Sequence, residues 1–159
     1  MERKSIQTIR SAAVGQTTRR IAPVLATLAV LALTAAEARA AEFKLVANPD
    51  VSVDSLSVSA CSRIFLKKQQ RWADGTPVVP VDLASASPLR SSFSRQVHKR
   101  PTSAIEAYWQ RLLFTGQGVP PVTLTSDAEV VSYVKKNPGA IGYVTTDAPA
   151  TGLKVVELQ

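Results

Sequence analysis

Cysteine and histidine are almost absent: Cys61 and His98 are the only ones among 159 residues. One thiol cannot close an internal disulfide, and one thiol with one imidazole cannot assemble a zinc centre. Disulfide scaffolds and Cys/His metal sites are therefore excluded, and no metal or other cofactor is expected. Glycine is sparse too, with seven residues, and there is no P-loop, G-x-S-x-G elbow or H-E-x-x-H helix. His98 sits in the basic run His98-Lys99-Arg100, which predicts a solvated surface position rather than a catalytic relay. The acidic residues form no recognisable acid/base pair, so the sequence points away from an enzyme.

Long apolar runs are missing as well. Ile21–Ala36 is uncharged, but its 16 residues are interrupted by Pro23. A spanning helix needs about 20 such residues. What precedes and follows that stretch is informative: Arg3, Lys4, Arg10, Arg19 and Arg20 come before it, and Ala38-Arg39-Ala40 forms a small-residue cleavage pattern after it. A basic segment, a short apolar core and an A-x-A cut describe a secretory signal peptide over residues 1–40, with a domain over 41–159 that is periplasmic or otherwise exported. No stable membrane span is expected after cleavage.

The formal charge of +7 changes meaning on that division. Six of the 19 basic and two of the 12 acidic residues belong to residues 1–40, so 13 basic and 10 acidic residues remain, a net +3. That suits an anionic ligand and is too small to argue for nucleic acid. With 45% hydrophobic and 19% charged residues the chain is ordinary globular material, and 119 residues suffice for one core.

Along 41–159, Phe43–Ala47 reads as a strand ending at the turn residues Asn48-Pro49-Asp50. Leu56, Ala60, Cys61, Ile64 and Phe65 recur at helical spacing with Ser55 as the N-cap, and Cys61 on the buried face. Trp72–Pro77 is turn chemistry. Val78–Val81 is a strand in which Pro80 argues for an edge or a strand end. Ser87-Pro88 opens a helix whose Leu89, Phe93 and Val97 share a face. Two S-x-x-E capping boxes, Ser103–Glu106 and Ser126–Glu129, open further helices. The first carries Ile105, Tyr108, Trp109, Leu112 and Leu113 as an apolar stripe, and the second carries Val130, Val131 and Val134. Ala140–Val144 is a strand in which Gly142 admits close approach by neighbouring backbone, and Leu153–Val156 is a last strand. Strands interleaved with four helices give an α/β or α+β sandwich of no more than three layers.

The local chemistry favours anion binding. A helix N-terminus presents unpaired N–H groups and a positive partial charge. The segment Ala84–Ser92 places Ser85, Ser87, Ser91 and Arg90 around such a terminus, with plain helix capping as the alternative reading.

Ile64-Phe65-Leu66, Trp72-Ala73-Asp74-Gly75 and the string Asn137-Pro138-Gly139-Ala140-Ile141-Gly142-Tyr143-Val144 resemble the phosphate-type substrate-binding proteins of ABC transporters, and most of all their short exported forms. The resemblance runs from Phe43 to Val156. It implies a single α/β lobe of the type 2 periplasmic-binding-protein fold, a mixed sheet flanked by about four helices. It further implies a non-enzymatic solute-binding protein for phosphate or another small oxyanion, with Ser85, Ser87, Arg90 and Ser91 as ligand contacts. Its partners would be an ABC permease, a second lobe or another copy of the chain. The rival expectation is an interaction or scaffold module that keeps the lobe without the ligand. Two positions depart from the family pattern: Lys67 stands where a glycine is usual, and Ser87-Pro88-Leu89-Arg90 replaces an S-G-T-R-like phosphate loop. The serine and arginine are kept, while an amide donor and a hydroxyl are lost.

Overall fold

The computed structural model describes residues 42–159, and the expected leader lies outside them. Among the described residues six strands and four helices are interspersed. They are β1 (Phe43–Ala47), β2 (Ser55–Leu56), α1 (Val58–Phe65), β3 (Val79–Leu83), α2 (Pro88–Phe93), α3 (Thr102–Phe114), β4 (Val122–Leu124), α4 (Asp127–Lys136), β5 (Ala140–Thr145) and β6 (Lys154–Leu158). A π-helical turn, Ser94–His98, continues α2. The sheet order is β2-β6-β1-β5-β3-β4. β1 runs antiparallel to β5 and β6, while β3 runs parallel to β4 and β5. Mixed sheet and four helices agree with the expected single α/β lobe.

Alternation along the central strands sorts the side chains into two layers. Gly142 of β5 and Val81 of β3 lie under Val130 and Val134 of α4. On the other face Phe43, Tyr143, Phe65 of α1 and Phe93 of α2 form one aromatic cluster, with Phe93 and Tyr143 stacked at 4.0 Å between centroids. Helices thus cover both faces, a three-layer arrangement. Gly142 is needed for side chains rather than backbone: a Cβ there would stand 2.7 Å from Val81 Cγ2 and 2.8 Å from Val130 Cγ1. Cys61 is fully buried on α1, and desolvation pushes its thiol up to about 12, so it packs as an apolar residue.

Several local expectations shift, each for a tertiary reason. Ser55 and Leu56 pair with Glu157 and Leu158 as the edge strand β2, so α1 starts later. Its cap is Ser57, whose Oγ accepts the Ala60 N–H at 3.2 Å. Ser103 caps nothing: α3 starts at Thr102 straight after the extended Pro101, and Ala104 N–H already bonds to the Pro101 carbonyl at 3.0 Å. Pro80 sits in an interior strand, one residue from its start. Val79 N–H donates to Gly139 O toward β5. Pro80's missing donor therefore faces the other side, where β4 begins opposite Val81. Ile105 and Trp109 of α3 are buried, but Leu113 is half exposed and Phe114 is 92% exposed. α3 packs chiefly on the π turn and stands apart from the main core.

The strings that carry the family resemblance meet in space. Trp72 Nε1 donates to Gly139 O at 3.0 Å, and a Cβ on Gly139 would lie 2.2 Å from Pro77 O. Gly139 also has φ +75°, so both its turn and its contact require glycine. Asn48, which the sequence suggests only as a turn residue, is buried and donates through Nδ2 to Val134 O at 2.9 Å, closing the C-terminal end of α4.

Candidate functional site

The carboxyl ends of the parallel strands β3 and β4 lead directly into α2 and α4. In open α/β sheets this end gathers ligand-binding loops. Ala84 N–H donates to Leu124 O at 2.9 Å, which holds the two loops side by side. Ala84–Ser87 is a tight turn closed by Ser87 N–H to Ala84 O at 2.9 Å. Ser87 caps α2, its Oγ accepting the Arg90 N–H at 3.4 Å, and Pro88 occupies the first helical position.

Among the described residues no hydrogen bond engages the N–H groups of Ser85, Ala86 and Leu89 or the hydroxyls of Ser85 and Ser91. The first turn of α2 holds no acidic residue. Ser85 is exposed, Ser87 and Ser91 are half-buried, and Ser91 lies one turn further along the helix. The turn and the helix start are therefore a set of unspent donors at a positive helix end.

Arg90 is placed differently from the serines. Its side chain is buried, with Nη1 in an ion pair with Asp82 Oδ2. Asp82 is itself buried in β3, and its Oδ1 accepts the Tyr143 O–H at 2.5 Å and the Leu83 N–H at 2.8 Å. Arg90 Nε has no partner among the described residues. Burial raises the Tyr143 phenol to about 12, so it stays a donor to Asp82. Asp82 and Tyr143 were not foreseen as partners of Arg90. The one sequence signal is an acid inside the otherwise apolar strand Val79–Leu83, a placement that requires a partner.

His98 is not the solvated side chain its basic neighbours suggest. Its Nδ1 lies 2.9 Å from Ser62 Oγ and its ring packs edge-on against Phe93. Desolvation, and secondly the positive charge of Arg90, lowers its pKa to about 4. The π turn that carries it packs against α1. Among the described residues no group of three or more His, Cys, Asp and Glu side chains could hold a metal, and no helix is long and apolar enough to cross a membrane.

No family profile matches the sequence, and no curated protein is similar to it. Solved structures are similar in fold. A protein described as a phosphate ABC transporter substrate-binding protein of Clostridium perfringens, with phosphate bound, superposes with a TM-score of 0.59 at 20% identity over 73% of this chain and 44% of its own. An ABC-type phosphate transport receptor of Vibrio cholerae gives 0.58 at 14% identity over 73% and 45%. A candidate phosphate-binding protein of Planctomyces limnophilus gives 0.56 at 17% identity over 74% and 41%. The described residues thus share the fold of the matched part of these proteins, a single mixed α/β lobe. The chain spans less than half the length of each of these structures.

Proposed function

We propose that this chain is an exported, non-enzymatic solute-binding lobe that takes a small oxyanion, phosphate first, at the start of α2. The observation that carries the reading is the set of unspent N–H groups of Ser85, Ala86 and Leu89 beside the hydroxyls of Ser85 and Ser91. Tetrahedral oxyanions are held by such convergent donors at helix starts. The likeness in fold to proteins described as phosphate carriers adds weight. Ser87 organises the turn through its cap. Arg90, paired with Asp82, fixes α2 to the sheet rather than contacting the anion.

A site open on one side leaves the anion in water, where each hydrogen bond competes with solvent. Binding by the lobe alone is therefore weak, and a second surface closing over the turn strengthens it. That surface is another lobe, another copy or the ABC permease that would receive the solute. Isothermal titration with phosphate is expected to show saturable heat at millimolar concentration, together with a rise in melting temperature. Absence of both signals would refute the reading.

One observation favours the alternative of an interaction module without ligand: the guanidinium that the resemblance assigns to the anion is already neutralised by Asp82. That reading expects self-association or a partner protein. Cross-linking that recovers only monomer counts against it.

A further inference from the structure

At the far end of α2, away from Ser85 and Ser87, two concave chambers meet under α3. The larger has a volume of about 500 Å³, with Leu66, Trp109, Leu112 and Val119 as its apolar wall and Lys67, Gln69, Gln70 and Gln117 as its polar rim. The smaller, of about 230 Å³, is lined by Ser62, His98, Lys68 and Arg100. Leu66 and Tyr108 line both, so the two chambers adjoin, the larger of mixed lining and the smaller cationic. Their combined size falls within the usual range for small-molecule sites.

No carboxylate among the described residues pairs with the charges around the groove, although Lys67 Nζ donates to Pro120 O at 3.4 Å. The salt bridges among the described residues are Arg90–Asp82 and Lys154–Asp54, and neither involves Lys67, Lys68, Arg100 or Arg111. Lys68 and Arg111 both lie 5.9 Å from the Tyr108 ring centroid, which holds two cations at its face. Glu106, the one carboxylate of α3, lines neither chamber.

Backbone strain marks the same place. Among the described residues the non-glycine positions with positive φ are Lys67 at +53° and Lys99 at +55°. Lys67 lines the larger chamber, and Lys99 lies between His98 and Arg100 of the smaller. A glycine at either position would relieve the strain, yet both carry a cation.

We infer that this groove binds a free amphipathic anion: an alkyl or aryl group in the larger chamber, with its carboxylate, sulfonate or phosphate between Lys68 and Arg100. Two concave chambers in series fit one small molecule with an apolar body and an anionic head better than a flat membrane surface, and the cationic end supplies the complementary charge. The site is separate from the α2 turn and does not depend on its function.

Fluorescence titration with 1-anilinonaphthalene-8-sulfonate, displaced by dodecanoate, tests this on the full chain. One saturable site is expected, with dodecanol displacing the probe about tenfold less well than dodecanoate because it lacks the charge. Lys68→Gln with Arg100→Gln changes exposed side chains and is expected to weaken both anions about tenfold. Equal affinity in the double variant and the parent overturns the proposal. So does flotation with phosphatidylglycerol vesicles in the absence of saturable probe binding, since the surface would then be a lipid contact.

Discussion

Helices α2 and α4 start at the same end of the sheet, each directly after a strand of the parallel set and each capped by a serine, Ser87 or Ser126. Their first turns diverge from there. α4 begins with Asp127 and has Glu129 as its third residue. Asp127 accepts from Thr145 N–H at 3.1 Å, and Glu129 accepts from Thr125 N–H at 2.7 Å. The Thr125 N–H and hydroxyl together hold the Glu129 carboxyl below its ordinary range. α2 has Pro88 and Arg90 at the matching positions, and Arg90 turns inward to Asp82. One helix end carries its own carboxylates and the other carries none, although both leave first-turn N–H groups without a partner among the described residues, Asp127 and Ala128 in α4 and Leu89 in α2. The contrast shows that a serine cap does not mark a ligand site, and that the charges of the first turn decide whether the helix end is available.

The largest effect is expected where the contrast is anchored. Arg90→Leu leaves Asp82 charged and unpaired inside the lobe, at a cost of about 3–5 kcal/mol in urea denaturation. Replacing Asp82 by Leu in the same chain should restore most of it. A loss below about 1 kcal/mol would show that Asp82 is solvated and that the inward turn of Arg90 is incidental.

Next comes His98, at the far end of the α2 helix. Folding lowers its pKa from 6.5 to about 4. Between those values the unfolded chain holds a proton that the folded chain does not, so stability is present above pH 6.5 and is lost as pH falls toward 4. The loss is on the order of 2 kcal/mol, and His98→Gln should flatten that part of the profile. An unchanged profile in the variant would assign the acid limb to other groups.

Removing each cap tests whether the two helix ends are otherwise alike. Ser87→Ala and Ser126→Ala are each expected to cost about 1 kcal/mol by thermal denaturation. A much larger loss at Ser87 would place the difference in the caps rather than in the first-turn charges. The smallest stability change is the most informative for function. Pro88→Asp gives α2 the carboxylate that α4 has, with a gain of about 0.5 kcal/mol from the helix dipole. It is expected to abolish the heat of phosphate binding, and retention of that heat would move the anion away from α2.

Much of the core was legible because its signals are local. Phe43–Ala47 has its expected bounds, and Leu89, Phe93 and Val97 are buried along one face. Val130 and Val134 sit where the S-x-x-E box puts them, although Glu129 bonds Thr125 rather than the cap residue. The errors share a different cause. Ser55 entered a strand because Glu157 was available to pair with it. His98 lies inward on a π turn that no neighbouring residue announces. Leu113 belongs to the apolar stripe of α3 and is still half exposed, because α3 reaches past the core.

The candidate site divides in the same way. Ser85, Ser87 and Ser91 follow from the cap chemistry at Ser87-Pro88, and local chemistry placed two of them at the turn. Arg90 was legible as a charge on that helix, but its direction was not. The partner that turns it inward lies on β3, and the phenol that completes the network lies on β5.

Residue types and their spacing by themselves determined the scarcity of metal and thiol chemistry, the α/β class, most helix and strand positions, and the serine cap of α2. Each depends on groups within a turn or two of one another. The tertiary structure alone decided which donors were left unspent, that Arg90 would face Asp82, and that Lys68 and Arg100 would line one chamber. Those outcomes depend on contacts between distant segments, and the cost of burying a charge or leaving a donor unpaired is set only when the chain has closed around it.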